Sequence, residues 1–257
     1  MPAAPRRAPA LAAVLAALLG SAAPALAIAP ATAPGPLQAP MITSRPHHVG
    51  PHGEVVQGTS GNWAGYAATG AKFTSVSASW VQPAADCTAA DTWSSFWVGL
   101  DGDGSDSVEQ NGSSADCTSG SPSYTAWYEM YPAYPVAFAD PVQAGDQFTA
   151  RVDTDAQGTF TLALADTTQG WSHTLTKRLR GARRASAEVI AEAPSTLTGP
   201  LPLTDFGRVT FTGATANGRP IGEFAPDDIT MATPDTTLAS TSALTGGNAF
   251  SVTWHHT

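Results

Sequence analysis

The sequence predicts an all-β fold, an antiparallel β-sandwich, on three observations. Polarity alternates with a period close to two over many short segments. Gly, Pro, Asn, Asp and Ser punctuate those segments at strand-like intervals. No segment carries a long, capped 3.6-residue apolar stripe. Two packed sheets bury such half-apolar strands most economically.

In chain order, Ser95–Asp101 separates Phe96, Val98 and Leu100 from Ser95, Trp97, Gly99 and Asp101. Thr125–Tyr131 separates Ala126, Tyr128 and Met130 from Thr125, Trp127, Glu129 and Tyr131. Phe148–Val152 and Thr159–Leu164 alternate cleanly. In Ala187–Ala193 the small apolar Ala187, Val189, Ala191 and Ala193 share one face, and Glu188, Ile190 and Glu192 share the other. Val209–Phe211 and Phe250–Trp254 complete the set, and Asn217-Gly218 marks a tight hairpin turn. Three of these strands offer one core face and one face mixing aromatics with carboxylates. Such a face suits a substrate groove better than open solvent.

The two ends of the chain differ in kind. Arg6 and Arg7, the apolar run from Ala10 to Leu19 and the small-residue site Ala25-Leu-Ala27 mark residues 1–27 as a secretory signal peptide, so a secreted protein is expected. Residues 28–57 carry Pro30, Pro34, Pro36, Pro40, Pro46 and Pro51 with little apolar periodicity, and read as a pro-segment or linker. His47, His48 and His52 have no Cys or carboxylate set to complete a metal site, and neither metal nor cofactor is expected. Residues 58–257 form one expected domain.

From residue 58 onward, 9 Lys and Arg face 20 Asp and Glu, so 9 − 20 = −11. Five of those bases crowd into Lys177, Arg178, Arg180, Arg183 and Arg184, a solvated turn or a processing site. This balance argues against nucleic acid as a partner, and no apolar run is long enough to span a membrane. Cys87 and Cys117 lie in Ser/Ala/Asp-rich, loop-like stretches. In an exported protein they are expected to form one disulfide, bracing the region that carries Gln110.

Several catalytic motifs fail. No Gly-x-Ser-x-Gly occurs, and beyond residue 57 the only histidines are His173, His255 and His256, which supplies a Ser-His-Asp triad poorly. Asp101-Gly-Asp-Gly-Ser-Asp106 starts like a calcium loop, but Asp106 replaces the required Gly and Gly112 the required Glu. Asn111-Gly-Ser113 is a formal glycosylation sequon without other support. What remains is Gln110, at the end of Trp97-Val-Gly-Leu-Asp-Gly-Asp-Gly-Ser-Asp-Ser-Val-Glu-Gln110, and Glu192, with Glu188 as its rival on the same strand face. A carboxylate can take a proton from water and a carboxamide can donate to an oxyanion, so such a pair can cleave a peptide bond.

At these residues the chain resembles the glutamic peptidases, or eqolisins. Ser60-Gly-Asn-Trp-Ala-Gly-Tyr66, Trp97-Val-Gly-Leu-Asp-Gly-Asp103, Val108-Glu-Gln-Asn-Gly112, Ala126-Trp-Tyr-Glu-Met-Tyr-Pro132, Ser186-Ala-Glu-Val-Ile-Ala-Glu192 and Leu203-Thr-Asp-Phe-Gly207 match six of that family's blocks in order. The resemblance implies a concanavalin/lectin-like β-sandwich whose concave sheet binds an extended peptide, and a monomeric acid endopeptidase acting on peptide or unfolded protein. It implies Gln110 as oxyanion donor and Glu192 as general base, with Trp63, Trp97, Asp101, Trp127, Tyr128 and Glu129 as substrate-binding candidates. Ala193-Pro194 stands where the family often has Asp-Phe, and Val189 and Met130 replace aromatics, so groove shape departs from the pattern. Two other readings fit an aromatic, acidic concave face: a carbohydrate-binding or two-carboxylate glycosidase module, for which Gln110 is superfluous, and an inactive exported binding domain.

Overall fold

The computed structural model describes Met1, residues 58–196 and residues 199–257. The signal peptide and Pro-rich segment expected over 1–57 lie outside the described residues, apart from Met1. The chain divides into two units, Met1–Thr32 and Ala33–Thr257, and the fold below belongs to the second.

The strands run β1 (Thr59–Ser60), β2 (Trp63–Ala68), β3 (Ser75–Val81), β4 (Ser95–Asp101), β5 (Val108–Thr118), β6 (Ser121–Tyr131), β7 (Val136–Ala137), β8 (Gln147–Thr154) and β9 (Thr159–Asp166). They continue with β10 (Trp171–Arg178), β11 (Ala187–Glu192), β12 (Ser195–Thr196), β13 (Gly199–Pro200), β14 (Arg208–Ala216), β15 (Arg219–Pro220), β16 (Asp227–Ala232), β17 (Thr237–Thr241) and β18 (Phe250–Trp254). Among the described residues the one helical element is a 3-10 turn, Ile221–Phe224, and no helix is long and apolar enough to cross a membrane.

The strands pair in the order β10-β9-β8-β3-β14-β18-β17-β16-β2-β11-β4-β5-β6-β7, antiparallel throughout, with β1 added in parallel to β16. The path folds into two layers, so that β3 and β8 face β4, β5 and β11. This is the expected sandwich. Its core takes Val76, Ala78, Trp80, Phe148, Ala150, Val152, Leu162, Leu164 and Phe211 from one layer, and Tyr66, Phe96, Val98, Leu100, Val189 and Ala191 from the other. On β8 the alternating Gln147, Thr149 and Arg151 are exposed, as period-two patterning requires. Asn217 and Gly218, both at positive φ, turn β14 into β15, which is the expected hairpin.

Strand β5 departs from the expectation. Its sequence reads as loop, yet it is the eleven-residue neighbour of both β4 and β6, and Cys117 lies within it. Several of its buried polar side chains are paired: Trp80 Nε1 donates to Ser113 Oγ (3.0 Å), Asn111 Nδ2 to the Ala163 carbonyl (2.8 Å) and Trp127 Nε1 to Ser114 Oγ (2.9 Å). A strand buried on both faces can be polar where distant groups supply hydrogen-bond partners, and alternation then vanishes. The same burial takes Asn111 out of reach of glycosylation in the folded state.

The expected Cys87–Cys117 disulfide is present and closes a sequence separation of 30 residues. Replacing both cysteines with serine is expected to cost about 3–4 kcal/mol through the looser unfolded chain, read as a lower denaturant midpoint with a steeper slope.

Candidate active site

Strand registers place the candidate residues in rows across the outer face of the β2-β11-β4-β5-β6 layer. One row runs Glu129, Gln110, Gly99, Glu188, Ala67 and Asp227. The next runs Trp127, Gly112, Trp97, Ile190 and Gly65, and the third Thr125, Ser114, Ser95, Glu192 and Trp63. The candidate residues on these strands therefore share one face of the layer. Trp63, Trp97, Trp127, Val108, Ile190 and Ile229 form a second apolar cluster there, and Gln110, Glu129, Glu188 and Glu192 are all fully buried.

Glu192 is held by neutral N–H donors. Trp97 Nε1 donates to its Oε2 at 2.7 Å, and Asn62 Nδ2 to its Oε1 at 3.1 Å. Burial nevertheless pushes its carboxyl up to about 8, against the pull of Trp63, Trp97 and Asn62. Trp63 contributes without reaching hydrogen-bond geometry and packs edge-on against Trp97, ring centroids 5.1 Å apart.

Gln110 is held from the other side. Its Nε2 donates to Glu129 Oε2, its cross-strand partner, at 2.6 Å, while its Oε1 has no hydrogen-bond partner among the described residues. The Trp97 indole links the two positions. Its Nε1 touches Glu192, and its Cζ3 lies 2.9 Å from where a Cβ on Gly99 would stand, with Gln110 Cβ 3.2 Å from the same point. Gly112 lets this happen, because a Cβ there would fall 2.6 Å from Trp97 Cβ and 2.1 Å from the Phe96 carbonyl oxygen.

Glu188 shares the Gln110 row, so position along the sheet favours it over Glu192. Its surroundings do the opposite. Neither oxygen has a hydrogen-bond partner among the described residues. Its carboxyl is raised well above the usual range by burial first, opposed by Ser186 and reinforced by the charges of Asp103 and Asp101. It lies fully buried near Asp101 and Asp103, where the chain leaves β4 for β5. Glu109, on the opposite face, is pushed up to about 8 by burial and by Asp101.

Asp101 sits at φ 68° and accepts from the Arg184 and Ala185 amides, both at 2.8 Å. Its carboxylate thus anchors the basic stretch that leads into β11. Tyr128 requires a correction as a substrate-binding candidate. It stands on the face of β6 opposite Trp127 and Glu129, packed against Phe138 with Lys177 over its ring. Strand parity dictates this, since neighbours on a strand point to opposite faces. Asn62 was not legible as a site residue. Its one signal was its place beside Trp63 in the first matching block.

Comparison with known proteins bears on the family and the fold. Residues 61–254 match the Peptidase A4 family. Aspergillopepsin-2 of Aspergillus niger is 30% identical over 198 residues, 67% of this chain and 69% of that protein. The solved structure of aspergilloglutamic peptidase from Aspergillus niger is 28% identical at a TM-score of 0.56, covering 64% of this chain and 99% of that one. Scytalido-glutamic peptidase, solved with a transition state analog inhibitor, superposes at a TM-score of 0.66 and 23% identity, over 76% of this chain and 98% of that one, and shares the fold.

Proposed function

This chain belongs to the Peptidase A4 family, the glutamic peptidases, and from that premise we propose that it is a secreted acid endopeptidase working through Glu192 and Gln110. It is a peptide hydrolase by family. The carbohydrate-binding or glycosidase reading accordingly falls.

In the proposed reaction, ionised Glu192 takes a proton from water as the water oxygen bonds to the scissile carbonyl carbon. The Gln110 Nε2 hydrogen not engaged by Glu129 donates to the oxyanion that forms. Collapse breaks the C–N bond, and Glu192 returns its proton to the leaving amine, yielding a carboxylic acid and an amine. Trp97 forms the floor between the two groups, and Trp63 and Trp127 the walls. The observation that carries the reading is the Glu192 environment: a buried carboxyl fixed by N–H donors from Asn62 and Trp97. Burial favours its protonated form. The base is therefore competent once substrate and water wet the groove, which brings the carboxyl back toward its ordinary acid range. Residues 1–27 as signal peptide and 28–57 as pro-segment complete the proposal of an exported zymogen that acts as a monomer on peptide or unfolded protein.

The test is hydrolysis of acid-denatured haemoglobin at pH 3–5 by the processed protein, beside Gln110→Ala. The variant is expected to lose about 10²–10³ in kcat with KM little changed, as for one lost oxyanion donor. Pepstatin is expected not to inhibit. Wild-type rates in Gln110→Ala would remove the dyad.

A further inference from the structure

We propose that Asn62 is a positioning residue for Glu192 and that Ser60 and β1 hold it in place, so that the working enzyme must retain residues 59–62. This rests on Glu192 being the general base.

The hydrogen bonds fix the orientation of the Asn62 amide. Ser60 Oγ donates to Asn62 Oδ1 at 3.2 Å, and an ionised Glu192, which can only accept, selects the Nδ2 end of the amide. The Nδ2 end then donates to Glu192 Oε1 at 3.1 Å and to Ser195 Oγ at 3.2 Å. Asn62 and Ser60 are fully buried, and Glu192 and Ser195 with them. Ser60 Oγ also accepts from the Asn62 and Trp63 amides, closing a local turn. The turn is pinned from outside: Ala193 N donates to the Asn62 carbonyl, and β1 pairs with β16 through Thr59↔Thr230 and Ser60↔Met231. Asn62 therefore touches both ends of the segment that follows Glu192 on β11, and it does so from the first described turn of the fold.

The groups placed against Glu192 are Asn62 and Trp63 from the β1–β2 side, Trp97 and Ser95 from β4, and Ser195 beyond Pro194. None of these carries charge, so among the described residues no cation stabilises an ionised Glu192. Hydrogen bonds to its oxygens are then the main means of favouring the carboxylate, and such charge-assisted bonds are the strong ones. Trp97 serves one oxygen and Asn62 the other.

The test uses the full-length protein after its own processing, comparing wild type, Asn62→Ala, Asn62→Asp, Ser60→Ala and Glu192→Gln. Asn62→Ala is expected to move the acid limb of the kcat profile to higher pH by about one unit, the change expected from one lost charge-assisted bond. kcat at pH 3.5 then falls about tenfold, with KM unchanged. Asn62→Asp sets a second carboxyl beside Glu192 and is expected to move the limb further. Ser60→Ala keeps the donor and loosens it, giving a smaller shift in the same direction and serving if Asn62→Ala does not fold. An NMR titration of the Glu192 carboxyl in the same variants should shift in step.

An acid limb and a Glu192 titration unmoved in both Asn62→Ala and Ser60→Ala overturn the proposal, as does an active processed product whose N-terminus lies beyond Asn62. Activity in Glu192→Gln instead overturns the assignment of the base, which the other variants do not address.

Discussion

Glu192→Gln is expected to abolish peptide hydrolysis while Glu188→Gln leaves it within about threefold of wild type. The two glutamates lie four residues apart on one strand face, and both are fully buried. Glu192 is bound at both oxygens by N–H donors, an arrangement that can stabilise the carboxylate a general base requires. Losing a general base typically costs 10²–10⁴ in rate. Glutamine is nearly isosteric and can still accept from Trp97, so the fold should survive and the loss should fall on kcat. Glu188 has no hydrogen-bond partner at either oxygen among the described residues, and burial first, then the charges of Asp103 and Asp101, raise its carboxyl well above its ordinary value. A neutral amide replaces a neutral acid there at little cost. Steady-state kinetics at pH 3.5, with circular dichroism as the folding control, separates the outcomes. The reverse pattern would transfer the base to Glu188, whose row position opposite Gln110 already suits it.

Stability is expected to fall steeply as pH rises from about 4.5 to about 8. Burial pushes Glu109 and Glu192 from 4.5 up to about 8 and Asp116 from 3.8 to about 7, and holds Glu188 well above its ordinary value. In each case the folded value lies above the unfolded one. Between the two, the unfolded chain has released protons that the folded chain retains, so rising pH favours unfolding. The stability is complete below about pH 4 and is lost across the window up to about 8. If only a third of the shift at Glu109 and Glu192 is expressed, each costs about 1.5 kcal/mol at pH 8. With Glu188 and Asp116 added, Tm should drop by about 10–20 °C between pH 4 and pH 8 for a domain of this size. Glu109→Gln, on the face away from the groove, should recover part of that drop at pH 7.5 and change nothing at pH 4. A Tm that is flat or rises with pH would contradict this account. An acid-stable, neutral-labile domain suits an enzyme proposed to work in acid.

Much of this was legible because strand parity is a local property. The alternation in Ser95–Asp101, Thr125–Tyr131 and Ala187–Glu192 places Trp97, Trp127, Glu129, Glu188 and Glu192 on one side without knowledge of partners. Parity also argues against Tyr128, which the resemblance put among the candidates, because its neighbours Trp127 and Glu129 point the other way. Strand β5 was illegible because its face is set by its partners. Asn111, Ser113 and Ser114 are polar and buried, satisfied by Ala163, Trp80 and Trp127 far along the chain. Polarity then carries no information about burial. Asn62 was missed for the same reason: its target lies 130 residues away.

The β class, the sheet face that the candidate residues share, the single disulfide and a short list of groups able to do the chemistry are legible locally in the sequence. These follow from period-two alternation, cysteine count and residue type. The tertiary structure decided how Glu188 and Glu192 differ. Residues i and i+4 on one strand look alike locally, and their pattern of neighbours in sequence is nearly the same. What separates them is which distant groups fold against each, Trp97 and Asn62 around one and Asp101 and Asp103 near the other. In a desolvated face, those neighbours set whether a carboxyl can be held as an anion or stays a neutral acid.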